Sequence, residues 1–502
     1  MEEKWSKIIS GSDIRGIVIE NNNKKITLTD DMIKDIAFAF AVFLSKKLKK
    51  PITKLNISIG MDSRISSEKI KELFIEQLIL IGVDVYDCGL CTTPSMFMST
   101  LLDKYTIDGA LEITASHLPF YYNGLKFFTN LGGIENNDVI EILELANNRT
   151  LPIISDPGKK HNLNLMDIYS ESLVKRILSD INDNSEKPLS DFKIIVDAGN
   201  GVGGFYATHV LKKLGADITG SQFLEPDGMF PNHIPNPENE EAMDSIKQAV
   251  LNNKADLGII FDTDVDRAAI VDSNGFEINK NSLIALISSI VLKEHPNSTI
   301  VTDSVTSNGL TKFIQNLGGI HRRFKRGYKN VINEALTLNN NNIPCYMAIE
   351  TSGHCALKEN YFQDDGAYLI TKIIIKMANL KRESNLSLSD LIKTLEIPKE
   401  SVEYRFEIGA KDIKGYWDIA KNLLEESFNN MDGWTIDENN FEGLRVNCDK
   451  NSGYGWFLIR LSLHEPLLVL NIESDLENGT DNILNSVYKI LKNISDIDIK
   501  II

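Results

Sequence analysis

Cysteine, positive charge and long apolar runs are all scarce in this chain, and each shortage argues against a class of function. Five cysteines among 502 residues, odd in number and scattered, argue against a disulfide framework. Cys88 and Cys91 form a C-x-x-C, but no second pair completes a zinc site, so both are read as structural. Lysine and arginine number 53 against 70 aspartates and glutamates, a net charge of -17. A field of that sign repels nucleic acid and anionic membrane, so neither is expected as a partner, and an anionic ligand needs a local basic exception. The longest apolar run, residues 283–292, is too short to cross a bilayer, and the charged opening Met1-Glu2-Glu3-Lys4-Trp5 has no signal-peptide character. The expectation is a cytoplasmic protein.

What is present is ordinary for a globular chain: 42% hydrophobic and 25% charged residues. The length exceeds what one core supports, so several domains are expected. Residues 57–62, 194–197 and 300–303 are apolar runs ending in Asp. Each leads through a helical pattern to a glycine stop and a second short strand, at Gly82-Val83, Gly215-Ala216 and Gly319-Ile320. Strand, helix, strand implies a parallel sheet covered by helices, with functional loops such as Asp62-Ser63-Arg64 and Asp197-Ala198-Gly199-Asn200 at the strand ends. Beyond a break at 381–389 the pattern changes to short strands at Trp434, 444–447, 455–461 and 467–472, with helices at 413–428 and 480–491. The fold class expected is therefore α/β: three similar mixed α/β domains with sheets sandwiched by helices, then a C-terminal α+β domain with an antiparallel sheet. Their bounds are set at 1–160, 161–280, 281–395 and 396–502.

Four loops carry chemistry. Thr114-Ala115-Ser116-His117-Leu118-Pro119 follows a strand at 109–113, and Pro119 forces a turn that should leave Ser116 exposed and reachable. Asn123-Gly124 reads as a turn that brings Lys126 beside that hydroxyl. Asp262-Thr263-Asp264-Val265-Asp266-Arg267 follows another strand, and three alternate carboxylates offer hard oxygen ligands to Mg2+ or Ca2+. An EF-hand fails, because Arg267 takes the glycine position and Ser273 the closing glutamate position. Glu350-Thr351-Ser352-Gly353-His354 offers hydrogen bonds to sugar hydroxyls, and Arg460 with Ser462 suits a phosphate. The segment 322–329, rich in Arg and Lys, is the local basic exception.

In this order the segments resemble the α-D-phosphohexomutase superfamily over essentially the whole chain. Thr114 to Pro119 with Asn123-Gly124-Leu125-Lys126 is similar to its phosphoserine loop, Asp262 to Arg267 to its metal loop, Glu350 to His354 to its sugar loop, and Arg460 to Pro466 to its phosphate loop. Ser-Gly-His in the sugar loop is most similar to the phosphomannomutase/phosphoglucomutase group. The resemblance implies an isomerase, an intramolecular phosphotransferase that interconverts hexose 1-phosphate and hexose 6-phosphate, of mannose and/or glucose. Its implied route runs through phosphoserine at Ser116 and a hexose 1,6-bisphosphate that serves as intermediate and activator. It implies one Mg2+ held by the phosphate on Ser116 and by Asp262, Asp264 and Asp266. Lys126 is then the general acid or base, assisted by Arg15 and His117. Arg64 and Arg267 would hold phosphate or the metal loop, Lys329, Glu350, Ser352 and His354 the sugar, and Arg460 and Ser462 the phosphate that is not reacting. The substrate is a phosphorylated hexose and the assembly a monomer or homodimer. Departures from the family pattern are Leu118 for Asn, Thr263 for Gly, Ala348-Ile349 where a Gly is common, Tyr328-Lys329 near a family His, and Leu463-His464 for Asn-Thr. Phosphoglucosamine mutase and a non-catalytic phosphosugar-binding paralogue are the alternatives. A serine hydrolase is disfavoured by the lack of G-x-S-x-G.

Overall fold

The computed structural model describes residues 2–149, 156–183, 185–384, 386–410, 412–462, 467–494 and 497–498. The chain forms two compact units, Met1–Leu283 with Ser352–Asp390, and Ile284–Thr351 with Leu391–Ile502.

In the first unit a sheet runs in the order Ile9–Ser10, Asp13–Ile17, Tyr122–Thr129, Gly109–Ile113, Asn56–Met61, Asp84–Leu90, Lys160–Asn162. The last four are mutually parallel. Asp13–Ile17 and Tyr122–Thr129 are antiparallel to their neighbours, which makes the sheet mixed where the repeat implies a parallel one. The connection from Ile113 to Tyr122 holds the serine loop and no crossover helix, so the chain returns antiparallel. The helix Asp30–Leu48 opens on a Thr29 cap and ends at Lys49 in the left-handed region, with Asp30 and Asp31 in its first turn and Lys46 and Lys47 in its last. Ile33, Ile36, Ala37, Phe40 and Leu44 recur at helical spacing and are buried. Phe40 meets Phe127 with ring centroids 4.6 Å apart. Gly109 lets the helix sit this close, since a Cβ there would lie 2.6 Å from Leu44 Cδ1.

A second sheet in this unit runs Glu277–Ile278, Ala268–Asp272, Leu257–Phe261, Ile194–Asp197. The second repeat is only partly realised. Its helical pattern becomes a π-helical turn, Tyr206–Leu211, and its second strand shrinks to single parallel bridges, Lys193 with Asp217 and Asp197 with Gln222. The Asp217 carboxylate accepts from the Thr219 backbone N–H at 2.9 Å, and this side-chain turn diverts the backbone after one bridge.

In the second unit Ile320–Phe324, Thr299–Asp303 and Cys345–Ile349 are parallel, in that order. The C-terminal part is an antiparallel sheet ordered Trp434–Ile436, Leu444–Cys448, Gly455–Leu461, Leu467–Ser474, Glu400–Ile408, Ile497–Asp498. Helices Ile413–Asn429 and Gly479–Leu491 bring Leu424, Phe428, Ile483 and Val487 onto Phe457, Ile459 and Leu470. The fold class is the one expected, α/β followed by a C-terminal α+β part with an antiparallel sheet. Among the described residues no helix is long and apolar enough to cross a membrane.

Candidate active site

The buried strand Gly109–Ile113 delivers the serine loop. Ser116 has φ +53°, a left-handed conformation that costs a non-glycine residue about 1–3 kcal/mol. Its residue exposure is 0%, so the expectation of an exposed serine is corrected. The cause is Arg64. Its Nε donates to Asp62 Oδ2 at 3.0 Å. Its Nη1 donates to the carbonyls of Pro119 and Tyr122 at 2.9 and 3.1 Å, and its Nη2 to those of Ser116 and Leu118. Five N–H groups thus meet five acceptors. In this structure the guanidinium folds the serine loop inward.

The Asn123-Gly124 turn is also corrected: both residues lie within the strand Tyr122–Thr129. A Cβ on Gly124 would stand 2.4 Å from the Ile14 carbonyl oxygen and 2.7 Å from that of Thr114, so the glycine answers to close strand packing. Asn123 Nδ2 donates to Ser66 Oγ and Ser67 Oγ at 2.8 and 3.0 Å. The strand nonetheless carries Lys126 to a polar cluster.

That cluster is the acidic loop. Asp262, Asp264 and Asp266 are buried, and one ligand oxygen from each lies within 4.8 Å of the others. Val265 between them has φ +64°, an outlier for a β-branched residue. Ser116 Oγ donates to Asp262 Oδ2 at 3.1 Å. Lys126 Nζ bridges Asp264 Oδ2 at 2.8 Å and Asp266 Oδ2 at 2.5 Å. Burial alone would lower the pKa of this ammonium, but Asp264 and Asp266 outweigh burial and hold it well above the ordinary lysine value. Burial, reinforced by Asp266 and Asp264, pushes the Asp262 carboxyl well up. Asp266 stays well below the carboxylate range despite its burial, because Lys126 and His354 favour its charged form. The group fits a divalent cation: three carboxylates face two cationic side chains, Lys126 and Arg267, and Asp264 Oδ1 is buried with no hydrogen-bond partner.

Around this centre Ser116 Oγ lies 3.3 Å from His117 Nδ1. Burial, with Arg267 and Arg15 nearby, holds the His117 pKa well below the ordinary histidine value, so the imidazole is neutral. Arg15 Nη2 donates to Asp13 Oδ2 at 2.9 Å. Arg267 Nε donates to His354 Nε2 at 3.1 Å, and His354 Nδ1 lies 2.9 Å from Ser352 Oγ. The structure therefore brings Ser116, His117, Lys126, Arg267, Ser352, His354 and the three aspartates into one set of contacts.

Two residues there lie outside the four loops. Thr93 Oγ1 donates to Asp264 Oδ2 at 2.5 Å, and a Thr-Pro dipeptide at a helix start was its only mark. Glu112 pairs across the sheet with Lys126. Both its carboxylate oxygens are buried without a hydrogen-bond partner, and burial, with Asp62 and Asp264 nearby, pushes its carboxyl well up.

The remaining expected site residues lie in the second unit. Glu350 Oε1 accepts the Gly327 backbone N–H at 2.7 Å. Lys329 is half-buried in the first turn of the helix Tyr328–Asn340. Arg460 is buried in the strand Gly455–Leu461, with Nη1 on the Leu461 carbonyl at 3.2 Å and Nε without a hydrogen-bond partner. Burial, then the nearby Arg326, lowers the Arg460 pKa, so the two guanidiniums share one positive neighbourhood in an acidic chain. Arg326 Nε lies 3.6 Å from Asp303 Oδ2, and Thr351 Oγ1 donates to the other side of that pair, again Asp303 Oδ2, at 2.7 Å. Ser462 follows directly, while Leu463, His464, Glu465 and Pro466 lie outside the described residues.

Three family models match: phosphoglucomutase/phosphomannomutase alpha/beta/alpha domain I over residues 6–151, domain II over 167–275 and domain III over 279–396. A phosphomannomutase of Methanocaldococcus jannaschii is 31% identical, covering 90% of this chain and 94% of the relative. A phosphoglucomutase/phosphomannomutase of Thermococcus kodakarensis is 29% identical over 97% of this chain and 98% of its own. A crystal structure of a phosphoglucomutase/phosphomannomutase family protein from Burkholderia thailandensis superposes with a TM-score of 0.79 at 25% identity, covering 98% of both chains. With three consecutive family domains, and a buried serine hydrogen-bonded to the first of three clustered aspartates, the chain belongs to the phosphoglucomutase/phosphomannomutase family of the α-D-phosphohexomutase superfamily.

Proposed function

We propose that the protein interconverts hexose 1-phosphate and hexose 6-phosphate, of mannose and/or glucose, through a phosphoserine at Ser116 and a hexose 1,6-bisphosphate. The observation that carries this reading is Ser116 Oγ 3.1 Å from Asp262, with Lys126 spanning the other two aspartates of the same loop. A Mg2+ held by Asp262, Asp264, Asp266 and the seryl phosphate would neutralise charge on the transferring group. The phosphoryl leaves Ser116 Oγ for the free hydroxyl of the bound sugar phosphate; the P–Oγ bond breaks as the new P–O bond forms, and the hydroxyl's proton passes to the neutral His117. The second transfer, from the sugar's other phosphate, restores the phosphoserine. Lys126 stands protonated, the form that delivers a proton to the oxygen leaving phosphorus, and Arg15 and His117 flank the same serine. Arg267, Ser352 and His354 brace the metal loop and offer polar groups to the sugar. Glu350 and Lys329 would contact sugar hydroxyls, and Arg460 with Ser462 the distal phosphate, a role supported by the orphaned Arg460 Nε.

The same reading takes residues 1–160, 161–280, 281–395 and 396–502 as domains that carry the phosphoserine, metal, sugar and phosphate loops. It takes the protein as a cytoplasmic monomer or homodimer whose net charge of -17 disfavours nucleic acid and membrane partners.

The test is a coupled mutase assay with Mg2+ and catalytic hexose 1,6-bisphosphate, offering mannose, glucose and glucosamine 1-phosphates in parallel. Turnover of mannose or glucose phosphate, abolished in Ser116→Ala together with the phosphorylated fraction in intact mass, is the expected result. Preference for the glucosamine phosphate would move the substrate to an amino sugar. Silence with all three sugars, and no phosphoserine, would make the protein a phosphosugar binder.

A further inference from the structure

Thr93 belongs to none of the four loops that the family pattern marks, yet it makes two bonds to the central aspartate of the metal loop. Its backbone N–H donates to the Asp264 carbonyl at 3.0 Å, and its hydroxyl donates to Asp264 Oδ2 at 2.5 Å. Thr93 is 2% exposed and Asp264 0%, so water does not supply these bonds. The threonine is itself held firmly. It opens the helix Thr93–Ser99, whose Thr92 cap accepts from Ser95 N–H at 3.1 Å while Ser95 Oγ accepts from Thr92 N–H at 3.1 Å, with Pro94 in the first turn. One residue earlier, the Cys91 N–H donates to the Met61 carbonyl at 2.9 Å and ties this corner to the strand Asn56–Met61. The hydroxyl is thus a fixed donor on a rigid corner, aimed at one oxygen of one carboxylate.

The two oxygens of Asp264 are treated unequally. Oδ2 takes both Thr93 Oγ1 and Lys126 Nζ, whereas Oδ1 is buried and takes no hydrogen bond. A carboxylate pinned by two donors on one oxygen presents the other to a cation, which is how hydrogen-bonded partners behind a ligand set its orientation and its affinity. Of the two donors, Thr93 is the one fixed by a capped helix start.

We propose that Thr93 is a positioning residue for the metal site, its hydroxyl fixing Asp264 so that Oδ1 stays turned to the cation. This rests on the reading of Asp262, Asp264 and Asp266 as metal ligands. The experiment is Mn2+ binding, followed by electron paramagnetic resonance, on the EDTA-stripped full-length protein as wild type, Thr93→Val and Thr93→Ser. Valine keeps the shape and the backbone N–H bond but loses the hydroxyl, and the Mn2+ dissociation constant should rise about 10-fold or more. Serine restores the hydroxyl and should return binding to within about threefold of wild type, on the ordinary scale of relocating one such bond. In turnover, the Mg2+ concentration for half-maximal rate should rise in the valine variant while KM for the sugar phosphate at saturating Mg2+ stays level. Wild-type affinity in Thr93→Val, or equal loss in serine and valine variants, overturns the proposal, because packing and not the hydroxyl would then be at stake. A wild-type protein that binds no Mn2+ overturns the metal reading and this inference with it. If the valine variant does not fold, Thr93→Ala lacks the same hydroxyl with less bulk and carries the comparison.

Discussion

Replacing Lys126 with methionine would remove the ammonium that bridges Asp264 and Asp266 while keeping a side chain of similar length. The lysine side chain is 5% exposed and the two carboxylates 5% or less, so the charges it leaves behind cannot turn to water. Breaking a buried ion pair from one side costs about 3–5 kcal/mol. An independent bound comes from protonation: a stranded aspartate can become neutral at pH 7, at about 4 kcal/mol for roughly three pKa units. The two figures agree, and at about 2–4 °C per kcal/mol they place the loss near 6–20 °C in the melting of the unit that holds the loop. The sign with pH follows. In the variant the stranded carboxyl is raised above its unfolded value, so the deficit is small near pH 4–5, grows as pH climbs, and is fullest above pH 7. The assay is calorimetry of EDTA-treated wild type and Lys126→Met from pH 5 to pH 8, repeated with Mg2+. Divalent metal should narrow the gap, since it supplies the missing positive charge. An EDTA-treated variant that melts within about 2 °C of wild type at pH 8 would refute the view that Lys126 is the counter-charge of this site.

Two further outcomes test the frame around the site. Asp365 caps the helix Gly366–Glu383, and burial pushes its carboxyl up to about 6, though bonds from Tyr169 and Tyr368 oppose the shift. A raised acid favours the protonated folded state, so its ionisation should erode about 3 kcal/mol of stability between pH 4 and pH 6 and none above. Asp365→Asn keeps the cap and should flatten that part of the wild-type melting profile; an unchanged slope would contradict the assignment. Gly124→Ala drives a Cβ to 2.4 Å from the Ile14 carbonyl oxygen, a backbone atom that moves only if the sheet unpairs. The cost should exceed about 4 kcal/mol and show as loss of soluble protein, and a soluble variant with near-native melting would show that the strands can part there.

Where sequence patterns reflect local physics, they were enough. Three acids on alternate positions after a strand mark a place where charges converge, and the structure confines them within 4.8 Å. The helix Asp30–Leu48 announces itself by its Thr29 cap, its acidic first turn and its apolar spacing. Readings failed where the deciding partner is distant in sequence. Pro119 does make a turn, but whether Ser116 faces water depends on Arg64, 52 residues away. Asn123-Gly124 has turn chemistry, yet its glycine is demanded by Ile14 and Thr114 on neighbouring strands. Thr93 was invisible because its partner, Asp264, is 171 residues on, and no local pattern encodes a bond of that span.

The Arg64 guanidinium also bears on how freely the serine loop can change. Its Nη1 and Nη2 bonds go to main-chain carbonyls of Ser116, Leu118, Pro119 and Tyr122, not to the loop's side chains, over separations of 52 to 58 residues. The loop's order is therefore borrowed from elsewhere in the chain and is largely indifferent to which side chains it carries. The side chain at position 118 is free to vary because the atom Arg64 holds there is a carbonyl oxygen that every amino acid possesses. Grafted onto a scaffold without Asp62 and Arg64, the same loop would lose the bonds that shape it, whereas a library varying position 118 within this chain should keep its geometry.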